Sequence, residues 1–214
     1  MNSKIISMIC LSIVALTAAC ADNPEKADEH YALAVAHRDA GRLDEAVEEF
    51  TKAIDAFPVQ YQSYYNRGLV RASQGTLTLA ILDFDAAIKY YPDYADAFHN
   101  RGLAYGGLGK HFEAIEDFDR VLEIDPNASD THYTKGASHL AVGSSRRALN
   151  SFDRAIAIDD KNSGYFAFRA LAHAGLSNKE SAESDFKMAV SLGFDAVVLR
   201  EQIESLIECN PGPR

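Results

Sequence analysis

Histidine and aspartate are the side chains of this 214-residue sequence whose number and spacing first suggest chemistry. Seven histidines could ligate a metal or serve as general bases. Ligation from one helix needs a second His or carboxylate four residues on, so that both side chains share a face. His30, His37, His99, His111, His132, His139 and His173 all lack one at that spacing. His-Glu-x-x-His, Cys-x-x-Cys, Gly-x-Ser-x-Gly and phosphate-binding glycine loops are absent as well. Asp83, Asp85, Asp117, Asp119 and Asp153 could form a paired-carboxylate site, or a solvated ridge with Lys89, Arg120 and Arg154. The ridge is the simpler reading. No catalytic residue, metal or cofactor is expected.

The elements that must position these residues repeat. Steps of 34 residues from Phe118 reach Phe50, Phe84, Phe152 and Phe186, and the same step carries Ala114 onto Ala46, Ala80, Ala148 and Ala182. Gly109 maps onto Gly41, Gly75 and Gly143. Ala and Phe four apart share a helix face, so the ring fills the space between two helices where the Ala lets them approach. The Gly follows a first helix, where a left-handed cap is wanted. Acidic residues such as Asp44, Glu45 and Glu113 open a second helix, and Pro58, Pro92 and Pro126 end it. His37, His139 and His173 take the place of Tyr105 in their copies, which makes them packing residues between helices. A lone helical hairpin cannot bury its apolar face, so the copies must stack.

These copies resemble tetratricopeptide (TPR) repeats starting at 27, 61, 95, 129 and 163, with Tyr64 and Phe98 at the fourth position and Gly68, Gly102 and Gly136 at the eighth. Repeat 1 has His30 at its fourth position, repeat 4 has Asp160 for Pro, and repeat 5 has Ser177 for Gly and Phe194 for Pro. The resemblance implies an all-α, right-handed superhelical solenoid of five repeats (27–60, 61–94, 95–128, 129–162, 163–196). A capping helix over 197–209 and a short tail at 210–214 would complete it. The cap would turn Leu199, Ile203, Leu206 and Ile207 inward and Arg200, Glu201, Glu204 and Glu208 outward; dimerisation is its rival use.

By the same resemblance the first helix of each repeat lines a concave groove. Its wall would carry Tyr65, Asn66 and Leu69, then His99, Asn100 and Leu103, then Tyr133 and Thr134, and would turn apolar around Phe168 and Leu171. An Asn amide carries both a donor and an acceptor, so Asn66 and Asn100 could pair with the backbone of an extended peptide. Tyr65, His99 and Tyr133 would add amphipathic contact area. The alternative is that these residues are family consensus with no ligand of their own. The family's clamp for acidic peptide tails needs cations where this sequence has Tyr31, Asp96 and Asn100, or Tyr65, Asp130 and Thr134. A neutral to basic, partly apolar ligand is therefore expected.

At the N-terminus, Lys4 and the apolar run Ile5–Leu16 read as a secretory leader, too short to span a bilayer. Leu16-Thr-Ala-Ala-Cys20 resembles the lipobox of bacterial lipoproteins, which implies cleavage after residue 19 and acylation of Cys20, palmitate included. A leader cut after Ala19 or Ala21 with Cys20 incidental is the alternative. Residues 20–26 would be a tether, with Ala21 after the Cys implying the outer rather than the inner membrane. Cys10 leaves with the leader, so Cys20 and Cys209 offer no structural disulfide within the chain. With 31 acidic against 21 basic residues, a net charge of −10, nucleic acid and anionic membrane surfaces are excluded as direct partners. The expectation is a periplasm-facing, lipid-anchored scaffold of the bacterial cell envelope that binds other envelope proteins. Pilotin-like assembly of a pilus or secretion system, and self-association of a soluble module with a possible homodimer, remain as alternatives.

Overall fold

The computed structural model describes residues 22–209. The leader, Cys20, Ala21 and the tail 210–214 lie outside the described residues. The described chain folds into helices only: α1 (Pro24–Asp39), α2 (Leu43–Ala56), α3 (Tyr61–Ser73), α4 (Leu77–Tyr90), α5 (Ala95–Gly107), α6 (His111–Ile124), α7 (Ser129–Ala141), α8 (Ser145–Ile158), α9 (Ser163–Gly175), α10 (Lys179–Ser191) and α11 (Ala196–Cys209). The first ten form five antiparallel pairs, each packed on the next. α1 begins at Pro24, inside the stretch read as a tether. The Asn23 side chain accepts the Lys26 N–H at 3.0 Å, and Pro24 brings a φ already suited to a first turn.

Each pair closes in the same way. Gly41, Gly75, Gly109 and Gly143 hold φ of 73°, 75°, 74° and 72°. The next residue then donates its N–H back to the carbonyl five residues earlier, as from Arg42 to His37 and from Lys110 to Tyr105, both at 2.9 Å. In the fifth turn Ser177 adopts φ 59° and Asn178 closes the same bond to His173, so the flanking helices impose the geometry even where the sequence lacks Gly.

Between the helices of a pair, Phe50, Phe84, Phe118 and Phe152 are fully buried against Ala46, Ala80, Ala114 and Ala148. The facing glycines make this possible: a Cβ on Gly68, Gly102 or Gly136 would stand 2.7, 2.7 and 2.5 Å from the ring of Phe84, Phe118 and Phe152. In the last pair Phe186 is only partly buried.

The aspartates do not form the ridge expected of them. Lys89 and Arg120 lie on the same helices as those aspartates and turn elsewhere, Lys89 to the Tyr90 ring at 5.3 Å and Arg120 to Glu123 of its own helix. The carboxylates turn instead to first-helix cations sixteen residues away. Arg67 grips Asp83 at 2.7 Å, Arg101 spans Asp117 at 2.6 Å and Asp85 at 2.5 Å, and Arg169 spans Asp185 at 2.7 Å and Asp153 at 2.8 Å. Asp83, Asp117 and Asp185 are buried. Each guanidinium thus ties its own second helix to that of the preceding pair, and a charge buried this way must be paired. In the fourth pair Lys135 meets only Asp119, at 2.5 Å, because Ser151 stands where the others have the buried Asp.

α11 departs from the pattern it extends. At every earlier junction a first helix packs on the second helix before it and barely touches the first helix of that pair, whereas α11 packs chiefly on α9 and less on α10. Leu199 and Ile203 are buried there, but Leu206 stays 37% exposed. Arg200 is not turned outward: it lies 3.7 Å from the centre of the partly buried Phe186 ring and bonds Glu183 at 2.6 Å, so α11 covers that aromatic with a cation.

Candidate functional site

The residues expected to line the groove fall on the first helices α3, α5 and α7, and the structure joins them through a ladder between repeats. Asn66 donates to the Tyr31 hydroxyl at 3.1 Å and to the Gln62 carbonyl at 2.9 Å, while its own carbonyl accepts Arg38 at 2.8 Å. Every hydrogen-bonding capacity of that amide but one lone pair is engaged inside the protein. One repeat later Asn100 repeats the donor half, reaching the Tyr65 hydroxyl at 3.2 Å and the Asp96 carbonyl at 2.9 Å. Its carbonyl oxygen has no hydrogen-bond partner among the described residues. The cause is one residue: where Arg38 of the first repeat reaches Asn66 of the second, the second repeat has Ala72 to offer Asn100 of the third.

The aromatics are held equally firmly. Tyr65 packs its ring 4.8 Å from Tyr94 and 6.0 Å from Phe84, and Tyr133 packs 5.2 Å from Tyr165 and 5.1 Å, edge on, from Phe168. Burial, then the nearby Asp96, pushes the Tyr65 hydroxyl up, and burial with Asp130 does the same for Tyr133, so both stay protonated donors at neutral pH. His99 bonds the Thr131 hydroxyl at 2.9 Å. Thr134 turns its hydroxyl back to the Asp130 carbonyl at 3.0 Å, so it offers its methyl to the groove region rather than a ready donor. Leu69 is half-buried, and Leu103 is 43% exposed. Cys20 is outside the described residues.

Further along the same inner surface, Ala137, Leu140 and Ala141 of α7, Phe168 and Leu171 of α9 and Leu206 of α11 enclose a hollow of about 560 Å³. This lies in the size range of ligand sites. Four of these side chains are apolar and bulky; the two alanines give the depth. The hollow joins the expected wall through Tyr133, whose ring touches Phe168. The apolar turn of the fifth repeat signalled its floor, and the last helix's apolar face placed Leu206 inward but not on the wall of a hollow, because α11 reaches it only by leaning away from the stacking position.

Burial holds three imidazoles below the ordinary histidine range. His99 is desolvated against the partial compensation of Asp130 and Asp96, His139 is desolvated with Lys135 and Arg147 adding to the effect, and His173 is desolvated against Asp185. Nδ1 of His139 and of His173 is buried without a hydrogen-bond partner. The folded chain therefore holds these protons less tightly than the unfolded chain, and stability is lost as pH falls through the unfolded value of about 6.5. Thermal melts should show the midpoint dropping between pH 7.5 and 5.5, with His139→Gln flattening part of the drop. A midpoint constant over that interval would contradict the burial argument.

Family models described as tetratricopeptide repeat match residues 14–60, 31–88 and 95–128, and a further TPR repeat model matches 68–109. The chain is a tetratricopeptide-repeat protein. No curated protein matches the sequence. Among solved structures, YrrB, a TPR protein with an unusual peptide-binding site, is 20% identical at a TM-score of 0.75, covering 89% of this chain and 98% of its own. MamA from Desulfovibrio magneticus RS-1 is 16% identical at 0.75, covering 78% and 94%. The first TPR of Spaghetti (RPAP3), bound to the HSP90 peptide SRMEEVD, is 28% identical at 0.55, covering 56% and 95%. These likenesses establish the TPR fold over nearly all the described chain. Among those residues no helix is long and apolar enough to cross a membrane, and no cluster of His, Cys, Asp and Glu could hold a metal.

Proposed function

We propose that this TPR chain is a non-catalytic scaffold that binds an extended peptide or a helix of another protein along its inner helices. The observation that carries the reading is the apolar hollow continuous, through Tyr133, with a wall on which Asn100 keeps a carbonyl unpaired. Concave apolar sites with a few polar anchors are where ligands bind. The likeness to YrrB and to the peptide-bound TPR of RPAP3 supports the same use of the fold. The peptide in the RPAP3 complex is acidic. Here Asp96 and Asp130 stand on the inner helices α5 and α7 and would repel an acidic peptide, so a different ligand chemistry is expected. We place the scaffold in the bacterial envelope, anchored at Cys20 and facing the periplasm, on the strength of Leu16-Thr-Ala-Ala-Cys20.

Photo-crosslinkers at positions 100 and 103 should capture partner protein, and one at Glu116 on the outer helix α6 should not. Asn100→Ala should weaken capture about fivefold, the effect of one hydrogen bond. Asn66→Ala is the poorer probe, because it also breaks the contacts to Arg38 and Tyr31. Capture strongest from 116 would move the binding surface away from the inner helices. Mass spectrometry of the mature N-terminus tests the anchor, and an unmodified terminus at Cys20 or Asp22 would remove it.

A further inference from the structure

We infer that the groove selects a segment with a bulky apolar side chain flanked by basic residues, the apolar group seated between α7, α9 and α11 and the cations facing Asp96 and Glu201. The inference rests on the groove reading above and adds the chemistry of the occupant.

The charges on either side of the hollow carry it. On the N-terminal side Asp96 is exposed, and its carboxylate has no hydrogen bond or ion pair among the described residues. It lies one turn before Asn100 on α5, its backbone carbonyl accepting the same amide that reaches the Tyr65 hydroxyl, which sets it beside the tyrosine wall, where its charge acts on Tyr65 and His99. Asp130 stands between Asp96 and the hollow. It accepts the Tyr165 hydroxyl at 2.5 Å and acts on both His99 and Tyr133. On the C-terminal side Glu201 and Gln202 border a second depression that shares Leu171 and Leu206 with the hollow. The apolar seat therefore has carboxylates before and after it along the solenoid. Arg38 of α1, the cation that reaches the groove residue Asn66, is also committed to Asp39 at 2.9 Å. Arg146 and Arg147 border a third depression, at the turn between α7 and α8, that shares Gly143 and Ser145 with the hollow, so a cationic rim lies on that side while the carboxylates lie before and after it along the solenoid.

A carboxylate-bearing ligand would meet repulsion at both ends of the seat, whereas Lys or Arg would find unpaired partners there. The seat itself asks for an apolar group. Leu206 is 37% exposed although apolar, which is the state of a wall awaiting a contact rather than of a core residue. α11 supplies both that wall and Glu201, so its lean onto α9 brings together the apolar and the acidic parts of the site.

The test pans a displayed random peptide library against the full chain and against Leu206→Asp and Asp96→Asn. Neither position is in the core, and unchanged melting of each variant verifies the fold. Enriched peptides should carry Leu, Phe or Ile beside Lys or Arg and should be depleted of Asp and Glu. Leu206→Asp should weaken them by about tenfold or more, and Asp96→Asn by about twofold to fivefold, with the latter difference shrinking at high salt. Enrichment that is acidic or charge-neutral, or that ignores Asp96→Asn, overturns the basic occupant while leaving a groove that still depends on Leu206. Enrichment indifferent to Leu206→Asp, or no enrichment at all, overturns the groove reading with it.

Discussion

Asp83→Ala lowers the unfolding free energy by about 3–5 kcal/mol, the range for a buried ion pair that loses one partner. The carboxylate is 2% exposed and is held from two sides, by Arg67 at 2.7 Å and by Arg71 at 2.8 Å. Its removal leaves two guanidinium groups facing a gap in the middle of the second repeat. Arg67 keeps the Thr51 hydroxyl at 2.9 Å, which satisfies one of its N–H groups but none of its charge. Asp85, two residues on, is the control. It pairs with Arg101 at 2.5 Å, yet its side chain is 44% exposed, and Arg101 keeps its bidentate bond to Asp117 when Asp85 is lost. Asp85→Ala should cost under about 1 kcal/mol. Denaturant titrations of the two variants read the difference directly. Equal costs would mean that the Arg–Asp ladder is surface decoration and that the inward position of Asp83 has no energetic meaning.

The ladder also shows what a periodic sequence reveals and what it hides. Phe118 and its copies, with Gly109 and its copies, disclose the hairpin because each is a local signature, a ring on a helix face or a cap at a helix end. Asp83 recurs as Asp117 and Asp185 but gives way to Glu49 and Ser151 in the other copies, and the partners of these aspartates sit sixteen residues earlier on the opposite helix, a spacing that no single-helix rule relates. The signal was in the substitutions: where the cation becomes Lys135, the buried Asp becomes Ser151. The groove obeys the same logic. The consensus made Asn66 and Asn100 look equivalent, and the non-repeating residues Arg38 and Ala72 decide that only the second keeps its carbonyl unpaired. Helical periodicity put Leu206 on the inward face of the last helix but could not place it in the hollow, since α11 abandons the packing of the earlier described helices.

The centre of the array offers the other large effect, and it is a coupling. Phe118→Ala should cost about 3–5 kcal/mol, because the ring is buried against Ala114 and supports His99 at 5.6 Å. Gly102→Ala should cost about 1–3 kcal/mol from the opposite fault: its new Cβ would stand 2.7 Å from the Phe118 ring, and the gain of up to about 1 kcal/mol in helix propensity offsets only part of that overpacking. Combined, the two changes should cost less than their sum, since the added methyl enters space that the missing ring has vacated. If Phe118→Ala unfolds the chain, Phe118→Leu completes the same cycle with a smaller cavity. The physical content lies in the sign. A sum that is merely additive would mean that ring and glycine do not meet, and the approach of α5 to α6 that aligns Asn100 and Leu103 on the inner wall would then rest on other contacts, the Arg101–Asp117 pair first among them. A cost that falls below additivity ties the orientation of the candidate groove to the same close approach that repeats every 34 residues through the chain.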